Sequence, residues 1–136
     1  MMRNFASLVK LARFKVEELQ KQMGALDEAR AHLESRTADL ERSVPEEQVA
    51  ATETREGFMA YGSYAQAVIE RKNNLRASMI ELDAQTAALR VQLEEAFLEL
   101  KKFELMEERR LARIAQARAK AEQDELDEIA GKRAAR

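Results

Sequence analysis

Residues 5–40 read FASLVKLARFKVEELQKQMGALDEARAHLESRTADL and decide the fold. From Phe5 to Leu40 every seventh residue is apolar, and a second series from Val9 to Val44, offset by four, is mostly apolar. An average spacing of 3.5 residues over six heptads is typical of a left-handed coiled-coil seam. The pattern therefore predicts a first long helix over about residues 3–44.

A second seam of similar length begins after residue 60. Its two series run from Tyr61 to Phe103 and from Ala65 to Leu100, again in steps of seven. This predicts a second helix over about residues 58–130. Together the seams contain the leucines that we expect in the core: Leu19, Leu26, Leu33, Leu40, Leu75, Leu82, Leu89 and Leu93.

The only proline, Pro45, lies between the two seams. It lacks an amide hydrogen and disfavours helix at the residue before it, so we expect the first helix to end or kink near Val44. Ser43-x-x-Glu46 has the spacing of a capping box, which would let a short helix restart. Residues 45–57 are thus predicted as the tip of an antiparallel two-helix hairpin, an all-α fold forming a single domain over residues 1–136.

The pairing of the two seams can be written as a register. We expect the residue numbers of two facing core positions to add up to 105, so that Phe5 faces Leu100 and Arg30 faces Leu75. Small residues then meet large ones in several layers. The second helix then extends past the start of the first from about residue 100. This C-terminal overhang of about thirty residues, roughly 45 Å of helix, retains an apolar stripe that suggests a partner.

Composition excludes several classes of protein. With no cysteine, the chain has no disulfide framework, thiolate nucleophile or Cys-ligated zinc site, and we expect it in a reducing cytoplasm. Its apolar runs are too short to span a bilayer, and residues 1–14 do not resemble a signal peptide. A formal net charge of −2 argues against a nucleic-acid partner.

No set of residues predicts catalysis, a metal site or a cofactor. His32 is the only histidine and should lie on the flank of the first helix. The carboxylate pairs at residues 94–95 and 107–108 are adjacent, and neighbouring helical residues diverge by about 100°. We therefore expect that the chain is not an enzyme.

Two clusters are candidates for binding other proteins. The aromatic residues Phe58, Tyr61 and Tyr64 near the tip either seal the end of the seam or anchor a partner. The second cluster is either a solvated face or a contact surface on the overhang. It comprises Arg109, Arg110, Arg113 and Arg118.

Three features resemble the flagellar export protein family FliJ. They are the block FASLVKLARF at residues 5–14, the Tyr61-x-x-Tyr64 pair followed by VI at residues 68–69, and the ending LDEIAGKRAAR at residues 126–136. The resemblance covers essentially the whole chain in size, order and position of the break.

This resemblance implies a cytoplasmic stalk that binds and stimulates the hexameric export ATPase, contacts the export-gate membrane protein, and escorts export chaperones. It also implies recruitment to the cytoplasmic face of the inner membrane. Phe58, Tyr61 and Tyr64 would lie towards the gate. The residues implied on the ATPase side are Phe5, Leu8, Arg13, Arg109, Arg110, Arg113, Leu126, Asp127, Ile129 and Arg133. The alternative is a structural homo-oligomeric scaffold in which each chain forms one interrupted rod.

Overall fold

The computed structural model describes residues 4–135, and two helices account for nearly all of them. Helix α1 spans Ala6–Glu53 and helix α2 spans Arg55–Ala134, with no strand in the described range. The two helices pack against each other. The predicted all-α antiparallel hairpin with a C-terminal overhang is confirmed.

Burial follows the two heptad seams. Ala12, Val16 and Leu19 of α1 are under a tenth exposed, as are Leu82 and Leu89 of α2, whereas the residues flanking them are mostly exposed. A pair of helices has no third layer to cover its seam, so its other core leucines keep partial contact with water. These half-buried residues are Leu26, Leu33, Leu40, Leu75 and Leu93.

Of the two outcomes predicted near Val44, an end or a kink, the end is wrong, because α1 continues through Pro45 to Glu53. Proline inside a helix removes one backbone hydrogen bond, here to the carbonyl of Glu41. Both residues are exposed, so water can hydrate that carbonyl. The extra helix also buries Ala51, which is 8% exposed and continues the seam.

The tip is consequently shorter than predicted. Only Thr54 separates the two helices, and its Oγ1 caps α2 by accepting a hydrogen bond from the Gly57 amide at 2.8 Å. The capping box predicted at Ser43 does not form, because no helix restarts there. Instead Ser43 Oγ donates to the Leu40 carbonyl at 2.7 Å.

Gly57 is required by a close approach at this turn. A Cβ atom added there would lie 2.8 Å from Thr54 Oγ1 and 2.9 Å from the carbonyl oxygen of Ala50. Both distances are shorter than ordinary carbon–oxygen contacts, so a side chain at residue 57 would force the turn to open.

The described chain divides into two compact units, one formed by Met1–Glu17 with Glu94–Arg136 and the other by Glu18–Leu93. In the first unit the Phe5 amide lies 2.9 Å from Glu107 Oε2, a pair whose numbers sum to 112. In the second unit Arg30 is hydrogen-bonded to Asp83, which gives nearly the same sum.

The predicted register is therefore wrong by one heptad: Phe5 meets Glu107 rather than Leu100, and Arg30 lies beside Asp83 rather than Leu75. A slip of seven residues keeps the same helix faces together, so the heptad pattern cannot distinguish the two registers. The position of the turn does so, because extending α1 past Pro45 moves the reversal of the chain towards later residues.

Candidate protein-docking surfaces

The N-terminus of α1 is capped from two sides. Asn4 Oδ1 accepts a hydrogen bond from the Ala6 amide at 2.8 Å, and Glu107 Oε2 of α2 accepts one from the Phe5 amide at 2.9 Å. The first amides of a helix lack partners within the helix and carry partial positive charge, which favours a carboxylate. Residues 4–6 are thereby fixed to α2 at the point where the pairing of the helices begins.

Glu107 and Arg110 occupy seam positions and form a bidentate ion pair. Arg110 Nε and Nη2 donate to the two carboxylate oxygens of Glu107 at 3.0 and 2.6 Å. The two side chains are only 16% and 18% exposed. Arg110 thus lies within the seam, in contrast to Arg109 and Arg113, which are exposed.

The same contacts set the charge states of the pair. The hydrogen bond from Arg110 lowers the pKa of Glu107 below its ordinary value, and the Phe5 amide adds to this effect, while partial burial acts in the opposite direction. The hydrogen bond to Glu107 raises the pKa of Arg110. Both groups therefore stay ionised at neutral pH.

Beyond this ion pair, α2 continues as an overhang, which we define as residues 111–134. Every described residue from 115 onward is exposed, and the overhang includes Leu126 and Ile129, which are 60% and 44% exposed. Arg113 and Arg133 are also exposed on it, and Arg109 is exposed just before it.

The other residues implied on the ATPase side have more varied surroundings. Arg13 forms an ion pair with Glu104 at 3.7 Å, and Asp127 accepts a hydrogen bond from Gln123 at 2.9 Å. Phe5 is half-buried, and Leu8 is exposed at the margin of the seam.

The aromatic cluster near the tip divides into a packed pair and an exposed ring. The Tyr61 and Tyr64 rings are half-buried with centroids 6.1 Å apart, and the Tyr64 hydroxyl lies 2.8 Å from Ser43 Oγ. Phe58 is 73% exposed, as is its neighbour Met59. The two tyrosines therefore fit the interpretation that the cluster seals the end of the seam. Phe58 fits the interpretation that the cluster anchors a partner, because its ring is exposed.

Sequence reasoning missed two features of these surfaces. Leu11 and Phe14 of α1 are 66% and 60% exposed. Both lie outside the two seam series, so their exposure could have been predicted from the sequence. The capping role of Glu107 had no such signal, because its partner depends on the register of the two helices.

Across residues 4–135 no group of three or more histidine and acidic side chains could hold a metal ion, and His32 is exposed. None of the described helices is sufficiently long and apolar to cross a membrane.

These features define a helical-hairpin protein whose distinctive surfaces are an exposed helix end and an aromatic tip. The chain matches the family described as flagellar FliJ protein over residues 2–136, and it therefore belongs to the FliJ family. This is a family of non-catalytic components of the flagellar protein export apparatus. No curated protein and no solved structure matches the chain.

Proposed function

We propose that the chain is a stalk of the flagellar export apparatus, which binds the hexameric export ATPase through the overhang and stimulates its turnover. The observation that carries the proposal is that α2 continues past the start of α1 as an exposed helix with both apolar and basic side chains. Family membership supplies the apparatus in which such a surface would act.

The exposed groups suit contacts with a ring of several subunits. Arg109 and Arg113 can form bidentate hydrogen bonds with carboxylates of a partner, while Leu126 and Ile129 provide small apolar anchors. Charged contacts of this kind favour rapid association with moderate affinity. One stalk could then exchange between neighbouring subunits instead of locking onto one.

At the tip, Phe58 is the residue that we propose for contact with the export-gate membrane protein. Its ring is 73% exposed, and exposed aromatic side chains frequently anchor protein interfaces. Tyr61 and Tyr64 would support that surface from behind by fixing the start of α2.

The proposal also includes escort of export chaperones, a cytoplasmic location with recruitment to the inner membrane, and the absence of catalytic activity in the chain itself. Family membership alone supports these points. The alternative scaffold, in which each chain is an open rod, is disfavoured by contacts made within one chain, such as that between Arg30 and Asp83.

The test is the ATP turnover of the cognate hexameric ATPase with and without the purified chain. We expect the wild-type chain to stimulate turnover. The double change Arg109→Glu and Arg113→Glu should lower the apparent affinity of the chain for the ATPase at least tenfold, because two charge-assisted contacts become repulsive. Arg90→Glu, an exposed reversal on the same helix, is the matched control and should leave stimulation unchanged. Turnover that does not respond to the wild-type chain would refute the proposal.

A further inference from the structure

Helix α1 begins with two large apolar side chains on the face turned away from α2. Leu11 is 66% exposed and Phe14 is 60% exposed. Ala12 and Val16, on the same turns of the helix, are buried in the seam, so the exposed pair points away from it. The packing of the two helices therefore does not account for this pair.

Two lysines flank the pair around the helix axis. Successive residues of an α-helix lie about 100° apart, which places Leu11 and Phe14 about 60° from each other. By the same rule Lys10 lies about 40° beyond Phe14, and Lys15 lies about 40° beyond Leu11 on the other side. Both lysines are exposed, and their stems can carry the ammonium groups past the apolar pair. We call these four residues the outer face of α1.

The start of the chain has an excess of positive charge. Residues 1–16 contain four basic residues and no acidic one. Of these, Arg13 forms an ion pair with Glu104 of α2 at 3.7 Å, whereas Lys10 and Lys15 form no ion pair within the part of the chain that the structure describes. The two flanking lysines thus keep their charge for an external group.

One carboxylate of α2 lies near Lys10 but is already occupied. Glu107 and Lys10 line the same open cavity beside the start of α1. Both oxygens of this carboxylate accept hydrogen bonds from Arg110, and Oε2 also accepts one from the Phe5 amide. Glu107 is therefore neutralised without Lys10.

The remaining acidic residues near the outer face leave it basic. Along α1 they begin only at Glu17 and Glu18, and Glu18 forms an ion pair with Lys21 at 3.5 Å. On α2, Glu99 lies closest to Lys15 in the register, and the two make no ion pair among the described residues. Every acidic group near this face thus either has another partner or remains in water.

The order lysine, phenylalanine, leucine, lysine around the helix is that of a helix lying at a membrane surface. Such helices place aromatic and aliphatic side chains at the boundary of the acyl chains, and flanking lysines reach the phosphates of anionic headgroups. The outer face of a single helix is convex, so it suits a broad surface better than a small ligand, which requires a concave site.

We propose that the outer face of α1 binds an anionic phospholipid surface, with Leu11 and Phe14 at the acyl boundary and Lys10 and Lys15 on the phosphates. The inference deepens the recruitment to the inner membrane proposed above and rests on it. It names the surface of the chain and the class of ligand for that recruitment. None of the four residues belongs to the overhang that we propose for the ATPase.

Co-sedimentation of the full chain with lipid vesicles tests the proposal. We expect binding to vesicles of equal parts phosphatidylglycerol and phosphatidylcholine, little binding to phosphatidylcholine alone, and release at about 1 M salt, where the Debye length is about 3 Å. Lys10→Glu with Lys15→Glu should weaken binding by about tenfold or more, because two attractions become repulsions.

Arg36→Glu with Arg71→Glu is the matched control, since it changes the net charge equally at exposed positions elsewhere on the hairpin. It should weaken vesicle binding by less than about threefold. Circular dichroism checks that all variants remain helical. Equal weakening by the two double variants, or no binding to anionic vesicles, as expected if the face binds an acidic protein instead, would overturn the proposal.

Tryptophan fluorescence tests the orientation, and the natural chain has no tryptophan to interfere. The emission of Phe14→Trp should shift to shorter wavelength when anionic vesicles are added, because the indole ring enters a less polar environment. Val91→Trp, at an exposed apolar position of α2, is the matched control and should not shift. No shift for Phe14→Trp, or equal shifts for both variants, would contradict binding through the outer face.

The lipid proposal and the ATPase proposal can fail separately. Phe14→Glu should weaken vesicle binding by about tenfold and leave stimulation of the ATPase unchanged, because Phe14 lies outside the overhang. If the wild-type chain stimulates the ATPase but does not bind anionic vesicles, the lipid proposal alone is wrong. If it binds vesicles but does not stimulate, the ATPase proposal alone is wrong.

Discussion

The backbone amide of Phe5 donates a hydrogen bond to Oε2 of Glu107, 102 positions later in the chain. This contact caps α1 with a side chain of α2 and fixes the register of the two helices in their unit. Arg110 holds the same carboxylate in place through two hydrogen bonds. One glutamate thus contributes to the helix start, the register and the local charge balance.

Replacing Glu107 should loosen the start of α1. In Glu107→Ala the Phe5 amide loses its acceptor and Arg110 loses its partner, so hydrogen exchange over residues 5–9 should accelerate about tenfold, equivalent to about 1.4 kcal/mol. Glu108→Ala, the exposed neighbour, is the matched control and should leave exchange there unchanged. Equal exchange in both variants would show that Glu107 does not act as a cap.

The same carboxylate should make stability depend on acidity. Because its pKa is lowered in the folded chain, its contribution is complete above the ordinary glutamate pKa and is lost as pH falls through the lower, folded value. The difference in unfolding free energy between wild type and Glu107→Gln should therefore shrink on acidification. Urea unfolding followed by circular dichroism between neutral pH and about pH 3 measures this, and a difference that does not change with pH would contradict the assignment.

The register can be tested by paired cysteines introduced into the second unit. Leu26→Cys with Thr86→Cys places the thiols at positions that sum to 112, and these should form an intramolecular disulfide. Leu26→Cys with Met79→Cys fits the sum of 105 and should not, because a slip of one heptad displaces the partners by about 10 Å, beyond the reach of a disulfide. The reverse result would restore the register first predicted from sequence.

Removing the proline should stabilise the hairpin. Since α1 is helical on both sides of the exposed Pro45, Pro45→Ala restores a hydrogen-bond donor and a favourable helix residue, a gain of about 2–3 kcal/mol. Glu46→Ala, an exposed change in the same turn, should alter stability by less than about 0.5 kcal/mol. Urea midpoints that do not differ between the two variants would indicate that the helix is broken at Pro45.

For the docking surfaces, the sequence identified which types of residue are present but not which of their side chains are exposed. It singled out the arginines of α2, and the structure separates Arg110, which occupies a seam position and is paired with Glu107, from Arg109 and Arg113, which are exposed. It likewise grouped three aromatic residues at the tip, of which Phe58 alone is largely exposed. Exposure depends on which partner each side chain meets, and that information is not local in the chain.

The amino-acid sequence by itself determined which face of each helix is buried, because apolar side chains at 3.5-residue spacing can leave water only by packing along one seam. It did not determine which heptads meet, since every slip of seven residues buries the same faces. The tertiary structure decided that through the turn at Thr54 and the contact between Phe5 and Glu107. A turn has a fixed length and a hydrogen bond a fixed reach, so both distinguish registers that a repeating pattern leaves equivalent.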